Sequence, residues 1–238
     1  MRAVIFDFFG TLTDPAAEDG RRALAHRTGE LLGLSGPVFW QALSTSFPER
    51  ITGAHGDTAA TLAGLARACG ADPGADQLAR AIEHHRVGGE ALRRPRTEAL
   101  GVLAELRKRG FRIGLVSDCG SELVETWAAS VYAPLVDATV FSWAEGCRKP
   151  DPRLYAAAAG RVGADPGECW YVGDGGGREL SGARRAGMRP VLVTNALVPG
   201  AARHRVDPDD FGGGHLPDSV PDLTALLPLL GRARVSPV

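Results

Sequence analysis

The chain has 238 residues, enough for one large domain or for a core domain with a small insert. Hydrophobic residues make up 44% and charged residues 23%, as in an ordinary globular protein, and the formal net charge of −1 argues against a general binder of nucleic acids or other polyanions. The four cysteines follow no metal-ligand spacing, so we expect free thiols in a reducing compartment.

The first apolar segment is short and runs directly into an acid and a glycine, in MRAVIFDFFGTL. It lacks the apolar stretch and small-residue cleavage site of a signal peptide. No apolar stretch elsewhere approaches the roughly 20 residues that cross a bilayer. We therefore expect a cytoplasmic protein that does not contact a membrane.

Five short apolar runs alternate along the chain with helical patterns. The runs are Ala3–Phe8, Phe111–Ser117, Asp137–Ser142, Cys169–Asp174 and Pro190–Asn195. The helical patterns between them cover Thr97–Arg109, Glu122–Ser130, Pro152–Val162 and Glu179–Ala186. Continuous apolar runs of strand length are typical of strands buried on both faces. This alternation predicts an α/β fold with a parallel sheet covered by helices on both faces.

The region from about Pro15 to Arg93 has a different pattern, because it contains helical segments and no strand. Arg21–Leu32 and Thr58–Cys69 are the clearest helices. Loops are predicted at Gly33–Pro37, Gly70–Gly74 and Val87–Gly89, where glycine and proline are concentrated. We therefore predict a helical insert directly after the first strand.

The C-terminal part of the chain is predicted to contain one loop and one helix. Ala201–Asp218 is polar and rich in glycine and proline, which favours a surface loop. Val220–Leu230 has leucines at helical spacing, and we expect that helix to pack on the core.

Polar residues stand where the apolar runs end. Asp7 is followed by Gly10 and Thr11, the second run ends at Ser117 and Asp118, Lys149 follows the third run, and Gly173 and Asp174 end the fourth. In an open α/β sheet, ligands bind at these carboxyl ends of the strands. Carboxylates, a hydroxyl and an ammonium suit a carboxylate nucleophile acting on a phosphoryl group beside a divalent metal.

Four segments resemble the four motifs of the haloacid dehalogenase (HAD) superfamily, in the same order. They are VIFDFFGTLTD, LVSDCG, GCRKPDPRLY and YVGDGGGRELSGARRAGM, which together span Val4–Met188. The resemblance implies a Rossmann-like core formed by residues 1–14 and 94–238 and a helical C1-type cap formed by residues 15–93. It also implies an aspartyl-enzyme intermediate on Asp7.

The same resemblance assigns roles to the strand-end residues. Ser117 and Lys149 would hold the transferring group, and Thr11 would contact the substrate or hold the nucleophile loop. Asp7, the backbone carbonyl of Phe9 and Asp174 would bind Mg²⁺. We also expect Phe9, Gly10 and Asp118, which adjoin these residues, to contact the substrate.

Two departures from the phosphatase pattern leave the activity open. Phe9 stands where phosphatases of this superfamily usually carry the aspartate that protonates the leaving group, and general acid–base help contributes typically 10²–10⁴-fold in rate. An aromatic residue there resembles the metal-independent dehalogenases. Glu179, in contrast, keeps a second acid after Asp174, and two acids near Asp7 favour a cation because like charges raise each other's pKa. Glu179 would then bind the metal through water or begin a helix.

The leading hypothesis is a Mg²⁺-dependent hydrolase of a small phosphate monoester. Hydrolytic dehalogenation of a 2-haloacid and a non-catalytic binding or regulatory protein are the alternatives. Within the insert, Arg50 and His55 are the polar residues most suited to reach a substrate, whereas His84 and His85 are expected to be exposed. The sequence indicates neither the substrate's identity nor the oligomeric state.

Overall fold

The computed structural model of the protein describes residues 3–196 and 217–232, and for Arg232 its backbone alone. Its centre is a six-stranded sheet of order β3-β2-β1-β4-β5-β6, in which all neighbouring strands are parallel. The strands are β1 (Ala3–Phe6), β2 (Arg112–Ser117), β3 (Ala138–Phe141), β4 (Cys169–Gly173), β5 (Arg189–Val193) and β6 (Asp218–Val220). The predicted α/β class with a parallel sheet is confirmed.

Alternate residues of β1 pack into two separate hydrophobic layers, one on each face of the sheet. Val4 and Phe6 lie in the layer that includes the helices α6 (Ala99–Lys108) and α11 (Leu226–Arg232). Ala3 and Ile5 lie in the layer on the opposite face. A strand directs successive side chains to opposite faces, so an apolar residue at every position is needed when both faces are covered.

Four helices in the segments that follow β2, β3 and β4 complete the core. These are α7 (Ser121–Thr126), α8 (Ser142–Glu145), α9 (Pro152–Val162) and α10 (Glu179–Arg185). Helices α9 and α10 contribute Leu154, Tyr155, Leu180 and Ala183 to the layer that contains Ile5. This packing fixes the segments that carry Lys149 and Glu179 against the sheet.

The segment between β1 and α6 is helical. A 3₁₀ helix, Pro15–Gly20, precedes α1 (Arg21–Leu31), α2 (Gly36–Thr45), α3 (Phe47–Arg50), α4 (Thr58–Ala68) and α5 (Ala75–Leu92). These helices share a hydrophobic cluster of their own, which includes Phe39 and Leu62. The segment leaves and rejoins the rest of the chain at one place, where Thr13 and Pro95 form an isolated antiparallel bridge. The division into a core of residues 1–14 and 94–238 and a cap of residues 15–93 stays a prediction.

Several predicted boundaries were wrong, and most errors come from glycine. The loop predicted at Val87–Gly89 lies inside α5, where Gly88 faces the Leu24 side chain and leaves no room for a β-carbon. That glycine serves close helix packing instead of a turn. Likewise, α2 begins inside the loop predicted at Gly33–Pro37.

At the C-terminus the sequence did not predict β6, and the last helix begins at Leu226 instead of Val220. Most of the predicted loop Ala201–Asp218 lies outside the described residues.

Two further expectations concern the chain as a whole. All four cysteines are free thiols, as predicted. Among the described helices, none combines the length and the apolar character that crossing a bilayer requires.

Candidate active site

Asp7 lies directly after β1, at the carboxyl edge of the sheet. Its backbone N–H donates to the Val172 carbonyl at 2.9 Å and so continues the pairing with β4. The Thr11 hydroxyl donates to Asp7 Oδ2 at 2.8 Å. Between them, Gly10 adopts a φ of 80°, a conformation that residues with a β-carbon rarely adopt. The turn therefore folds Thr11 back onto the carboxylate, which is buried with only 4% of the residue exposed.

Lys149 lies between two carboxylates. Its Nζ donates to Asp7 Oδ1 and to Glu179 Oε2, each at 2.6 Å. Burial alone would lower the pKa of this ammonium, but the charges of Asp7 and Glu179 outweigh burial and raise the pKa well above its ordinary value. This shift of the pKa favours the charged form of the lysine beside Asp7.

Glu179 holds Lys149 from the opposite side and is fully buried. Besides the lysine, its carboxylate accepts from the Tyr171 hydroxyl at 3.0 Å and from the Gly175 N–H at 2.9 Å. Burial and the nearby charge of Asp7 raise the pKa of this carboxyl above its usual range. Three donors already share its two oxygens, so the structure gives Glu179 the role of positioning Lys149. Its expected contact with a metal through water stays a prediction.

Two glycines and a tyrosine support this arrangement. A β-carbon on Gly173 would collide with the Glu179 carboxylate, and one on Gly10 would collide with Asp174 Oδ2. The Tyr155 hydroxyl donates to the Glu179 carbonyl at 3.0 Å. Sequence analysis missed both tyrosines, although the LY of GCRKPDPRLY and the WYVGD run contained them.

Asp174 joins Asp7 and Glu179 in a buried cluster of carboxylates whose oxygen atoms lie within 4.8 Å of one another. The Gly176 N–H donates to Asp174 Oδ1 at 3.2 Å. Hard oxygen ligands of this kind suit Mg²⁺. Because three buried carboxylates lie this close together, a divalent cation would offset their mutual repulsion. The residues therefore fit Mg²⁺, with Asp7 and Asp174 as the carboxylates that would hold it.

Ser117 and Asp118 end β2 on the other side of Asp7. The Ser117 Oγ is buried and makes no hydrogen bond of good geometry within the described residues, although the Cys119 thiol lies near enough to interact weakly. A buried hydroxyl without a strong partner suits an oxyanion ligand. Asp118 Oδ1 accepts the Lys149 N–H at 3.0 Å, and burial raises the pKa of this carboxyl.

A cavity of about 620 Å³ extends from Asp7 to the helical segment. Asp118, Lys149 and Asp174 line it at the sheet edge. The helical segment contributes an apolar wall that includes Leu24, Trp40, Leu43, Phe47 and Leu92. A ligand in this space would therefore meet charged groups at one end and apolar side chains along its body.

The Phe9 ring faces the same cavity, and a cation lies over it. The Arg21 guanidinium carbon is 5.2 Å from the ring centroid, within cation–π distance. Arg21 also forms an ion pair with Glu18 at 2.8 Å. Phe9 and Asp7 thus line the same cavity.

Of the two residues of the helical segment that were predicted to reach a substrate, Arg50 lines the cavity and His55 does not. Arg50 lines the cavity and donates to the Leu43 carbonyl at 2.8 Å and to Ser46 Oγ at 3.1 Å. His55 is not among the described residues that line the cavity, and its Nε2 lies 3.2 Å from Glu49 Oε2.

The expectation that His84 and His85 are exposed was wrong, because both are partly buried. The two residues differ in that His85 lines the cavity. Its ring lines the cavity, with Nδ1 3.4 Å from Thr28 Oγ1. Burial and the neighbouring arginines lower its pKa, against the opposing charge of Glu122. Sequence analysis also missed Arg21, Arg93 and Glu122 as lining residues. They lie in helices or, for Arg93, directly after one, and helical periodicity does not indicate which face meets the cavity.

Comparison with known proteins agrees with this geometry. Residues 1–187 match the family model of the haloacid dehalogenase-like hydrolases. The chain therefore belongs to the haloacid dehalogenase-like hydrolase family and is a hydrolase.

Some of the similar proteins are named phosphatases and others are named dehalogenases. The chain is 29% identical over 198 residues to a glyceraldehyde 3-phosphate phosphatase of Methanopyrus kandleri, which covers 81% of this chain and 84% of the relative. In structure it resembles a HAD phosphatase from Thermococcus onnurineus, with a TM-score of 0.65, 19% identity and coverage of 99% and 100% of the two chains. It also resembles a 2-haloacid dehalogenase from Pseudomonas syringae, with a TM-score of 0.67, 21% identity and coverage of 98% and 100%. At such identities the structural likeness establishes the fold alone.

Proposed function

We propose that this hydrolase is a Mg²⁺-dependent phosphatase that acts on a small phosphate monoester, such as a sugar phosphate, through an aspartyl-phosphate on Asp7. One observation carries the proposal: Asp174 lies beside Asp7 and Glu179 in a buried cluster of carboxylates, in which Lys149 pairs with Asp7 and Glu179. Burying like charges together is unfavourable unless a cation offsets them. A divalent cation held by Asp7 and Asp174 would stabilise this arrangement.

The chain's own residues divide the work of such a reaction. Asp7 attacks phosphorus, and the bond from phosphorus to the leaving oxygen breaks. Lys149 and the Ser117 hydroxyl stabilise the negative charge on the transferring oxygens. Bound Mg²⁺ would act as a Lewis acid on the phosphoryl group. Water then hydrolyses the acyl phosphate and regenerates Asp7.

Phe9 limits the substrates of this proposed phosphatase. A phenyl ring transfers no proton, so the leaving group has to be stable as an anion or to receive its proton from substrate, water or another side chain. The name of the Methanopyrus kandleri relative supports a small phosphorylated substrate.

The second candidate is a metal-independent 2-haloacid dehalogenase, and Phe9 is the observation that favours it. Displacement of halide from carbon needs no leaving-group acid, so an aromatic residue would not impair it. Asp174 argues against this candidate, because a second carboxylate near Asp7 would repel the carboxylate of a haloacid.

Release of phosphate from a panel of phosphorylated metabolites, with Mg²⁺ and with EDTA, tests the proposal. We expect release that requires the metal and that disappears in Asp7→Asn, by at least about 10⁴-fold, because the nucleophile is removed. Asp72→Asn, the same change at an exposed loop residue, is the matched control and should keep full activity. Absence of release from every compound would contradict the proposal. Chloride release from 2-chloropropionate that survives EDTA would favour the dehalogenase.

A further inference from the structure

Arg93 is a buried cation that faces the cavity without a full set of partners. It follows α5 directly, at the return of the helical segment to the sheet, and 9% of the residue is exposed. Its guanidinium lines the cavity, and its Nη2 is buried and has no hydrogen-bond partner among the described residues. Leaving a buried charged donor unpaired is unfavourable, so this nitrogen is available to a ligand.

The backbone of Arg93 is held from both sides. Its N–H donates to the Gly89 carbonyl at 3.2 Å, and its own carbonyl accepts from the buried Tyr132 hydroxyl at 2.9 Å. The Arg93 guanidinium packs against Gly89, where a β-carbon would crowd Nη1. The cation is therefore presented from a fixed position, which lowers the entropy that binding would otherwise lose.

The guanidinium groups at this end of the cavity differ in their partners. Arg21 has the Glu18 carboxylate as an ion-pair partner. Burial lowers the pKa of Arg50 and of Arg93, and the charge of Glu122 opposes this shift in both, joined by the charge of Glu90 for Arg93. In the described part of the chain neither Arg50 nor Arg93 has a carboxylate within ion-pair distance. A bound anion would therefore supply the direct partner that Arg93 Nη2 lacks among the described residues.

We propose that Arg93, together with Arg50, binds a second anionic group of the substrate, so that the substrate class is a phosphate monoester with a carboxylate or a further phosphate at its far end. This inference rests on the proposed phosphatase function for the first anionic group. Arginine suits both oxyanions, because its fork of N–H donors matches their paired oxygens. The apolar wall between the two charged ends would contact the carbon body of such a substrate.

Matched pairs of substrates test this inference in the unmodified protein. We expect kcat/KM for 3-phosphoglycerate to exceed that for glycerol 3-phosphate by about 10-fold or more, since the pair differs in the carboxylate. Likewise, kcat/KM for 2-phosphoglycolate should exceed that for 2-hydroxyethyl phosphate, which lacks the carboxylate. The pair 1,3-propanediol bisphosphate and propyl phosphate distinguishes a phosphate from a carboxylate as the preferred second group. Equal kcat/KM within all three pairs would overturn the inference.

Variants assign the preference to Arg93. Arg93→Met should lower kcat/KM for the substrate with the second anionic group by about 10- to 100-fold and leave kcat/KM for its counterpart without that group within about twofold. Arg93→Lys should retain part of the preference. Arg94→Met, the same change at the exposed neighbouring arginine, is the control and should leave the preference intact. An equal loss on both members of a pair in folded Arg93→Met would contradict a substrate contact.

Calorimetric binding separates failure of this inference from failure of the proposed function. If no compound releases phosphate, the phosphatase proposal fails, while 3-phosphoglycerate can still be titrated against glycerol 3-phosphate. Tighter binding of 3-phosphoglycerate that Arg93→Met abolishes would support the anion site by itself. Equal binding, or binding of neither compound, would overturn it.

Discussion

The two ends of the cavity differ in how far their charges are already satisfied. At the sheet edge, Lys149 bonds to Asp7 and Glu179, and Glu179 bonds in turn to Tyr171 and Gly175. At the end formed by the helical segment, Arg93 Nη2 is buried without a partner among the described residues. The hydrogen bonds at the sheet edge are thus formed before a ligand arrives, whereas in our proposal the ligand completes those of Arg93. On that proposal, reaction type and substrate choice reside in different parts of the chain.

The largest expected effect comes from removing the cation at the sheet edge. Lys149→Met leaves Asp7, Asp174 and Glu179 buried without the ammonium, and breaking a buried ion pair costs about 3–5 kcal/mol. Activity should fall with stability. Urea unfolding of this variant and of the exposed control Lys108→Met measures the difference, and an equal effect of both changes would contradict the central role of Lys149.

The destabilisation caused by Lys149→Met should depend on pH. Burial and Asp7 already raise the pKa of Glu179, and loss of the ammonium removes a charge that lowers it. A carboxyl whose pKa is raised in the folded state does not lower the stability of the protein at a pH below the ordinary value of 4.5, because it is protonated in both the folded and the unfolded state. As the pH rises from 4.5 toward the folded-state pKa, the unfolded state loses the proton first, and the folded state becomes progressively less stable. The difference in unfolding free energy between Lys149→Met and the parent should therefore be larger at pH 8 than at pH 5. A difference independent of pH would indicate lost packing instead of lost charge.

An intermediate effect is expected from restoring an acid at position 9. Phe9→Asp should raise turnover of phosphate esters with poor alkyl leaving groups by about 10-fold and change turnover of p-nitrophenyl phosphate little, because a good leaving group needs no proton. Phe9→Asn has the same size without the titratable proton and should give no gain. A fall in a folded Phe9→Asp variant would count against a missing acid.

The smallest effect is expected at the contact between the helical segment and Phe9. Arg21→Met removes a cation from over the ring, an interaction of about 0.5–1 kcal/mol at such sites. KM should rise about two- to fivefold with kcat nearly unchanged. Arg22→Met, at the exposed neighbouring position, should change neither. A large fall in kcat would show that Arg21 takes part in the chemistry at the sheet edge.

Sequence analysis predicted the sheet edge well because local rules apply there. Apolar runs ended at Asp7, Ser117 and Asp174, and in a parallel sheet such ends meet at one edge. The contact between Lys149 and Asp7 joins residues 142 positions apart, yet the motif order was enough to predict their proximity. The motifs did not predict the hydrogen bonds of Glu179, because its partners are set by side-chain geometry.

The helical end was poorly predicted for a physical reason. Helical periodicity indicates which residues share a face, but it does not say whether that face meets solvent, another helix or a cavity. His85 was therefore expected at the surface, Arg93 was not singled out, and His55 looked as suitable as Arg50. Gly88 was interpreted as a turn residue, although it allows close packing of α5 against Leu24.

The position of β1 in the sheet has a consequence for how the protein is made. Although β1 is the first strand synthesised, it pairs with β2 and with β4, whose partners for Ala3 are Arg112 and Cys169. Pairing of such distant segments requires closing long loops and is slow. During translation the apolar β1 strand cannot complete its pairing on both sides until β4 has also been synthesised. Unpaired apolar strands of this kind favour aggregation, so we expect β1, which leads into Asp7, to be a site of aggregation during folding.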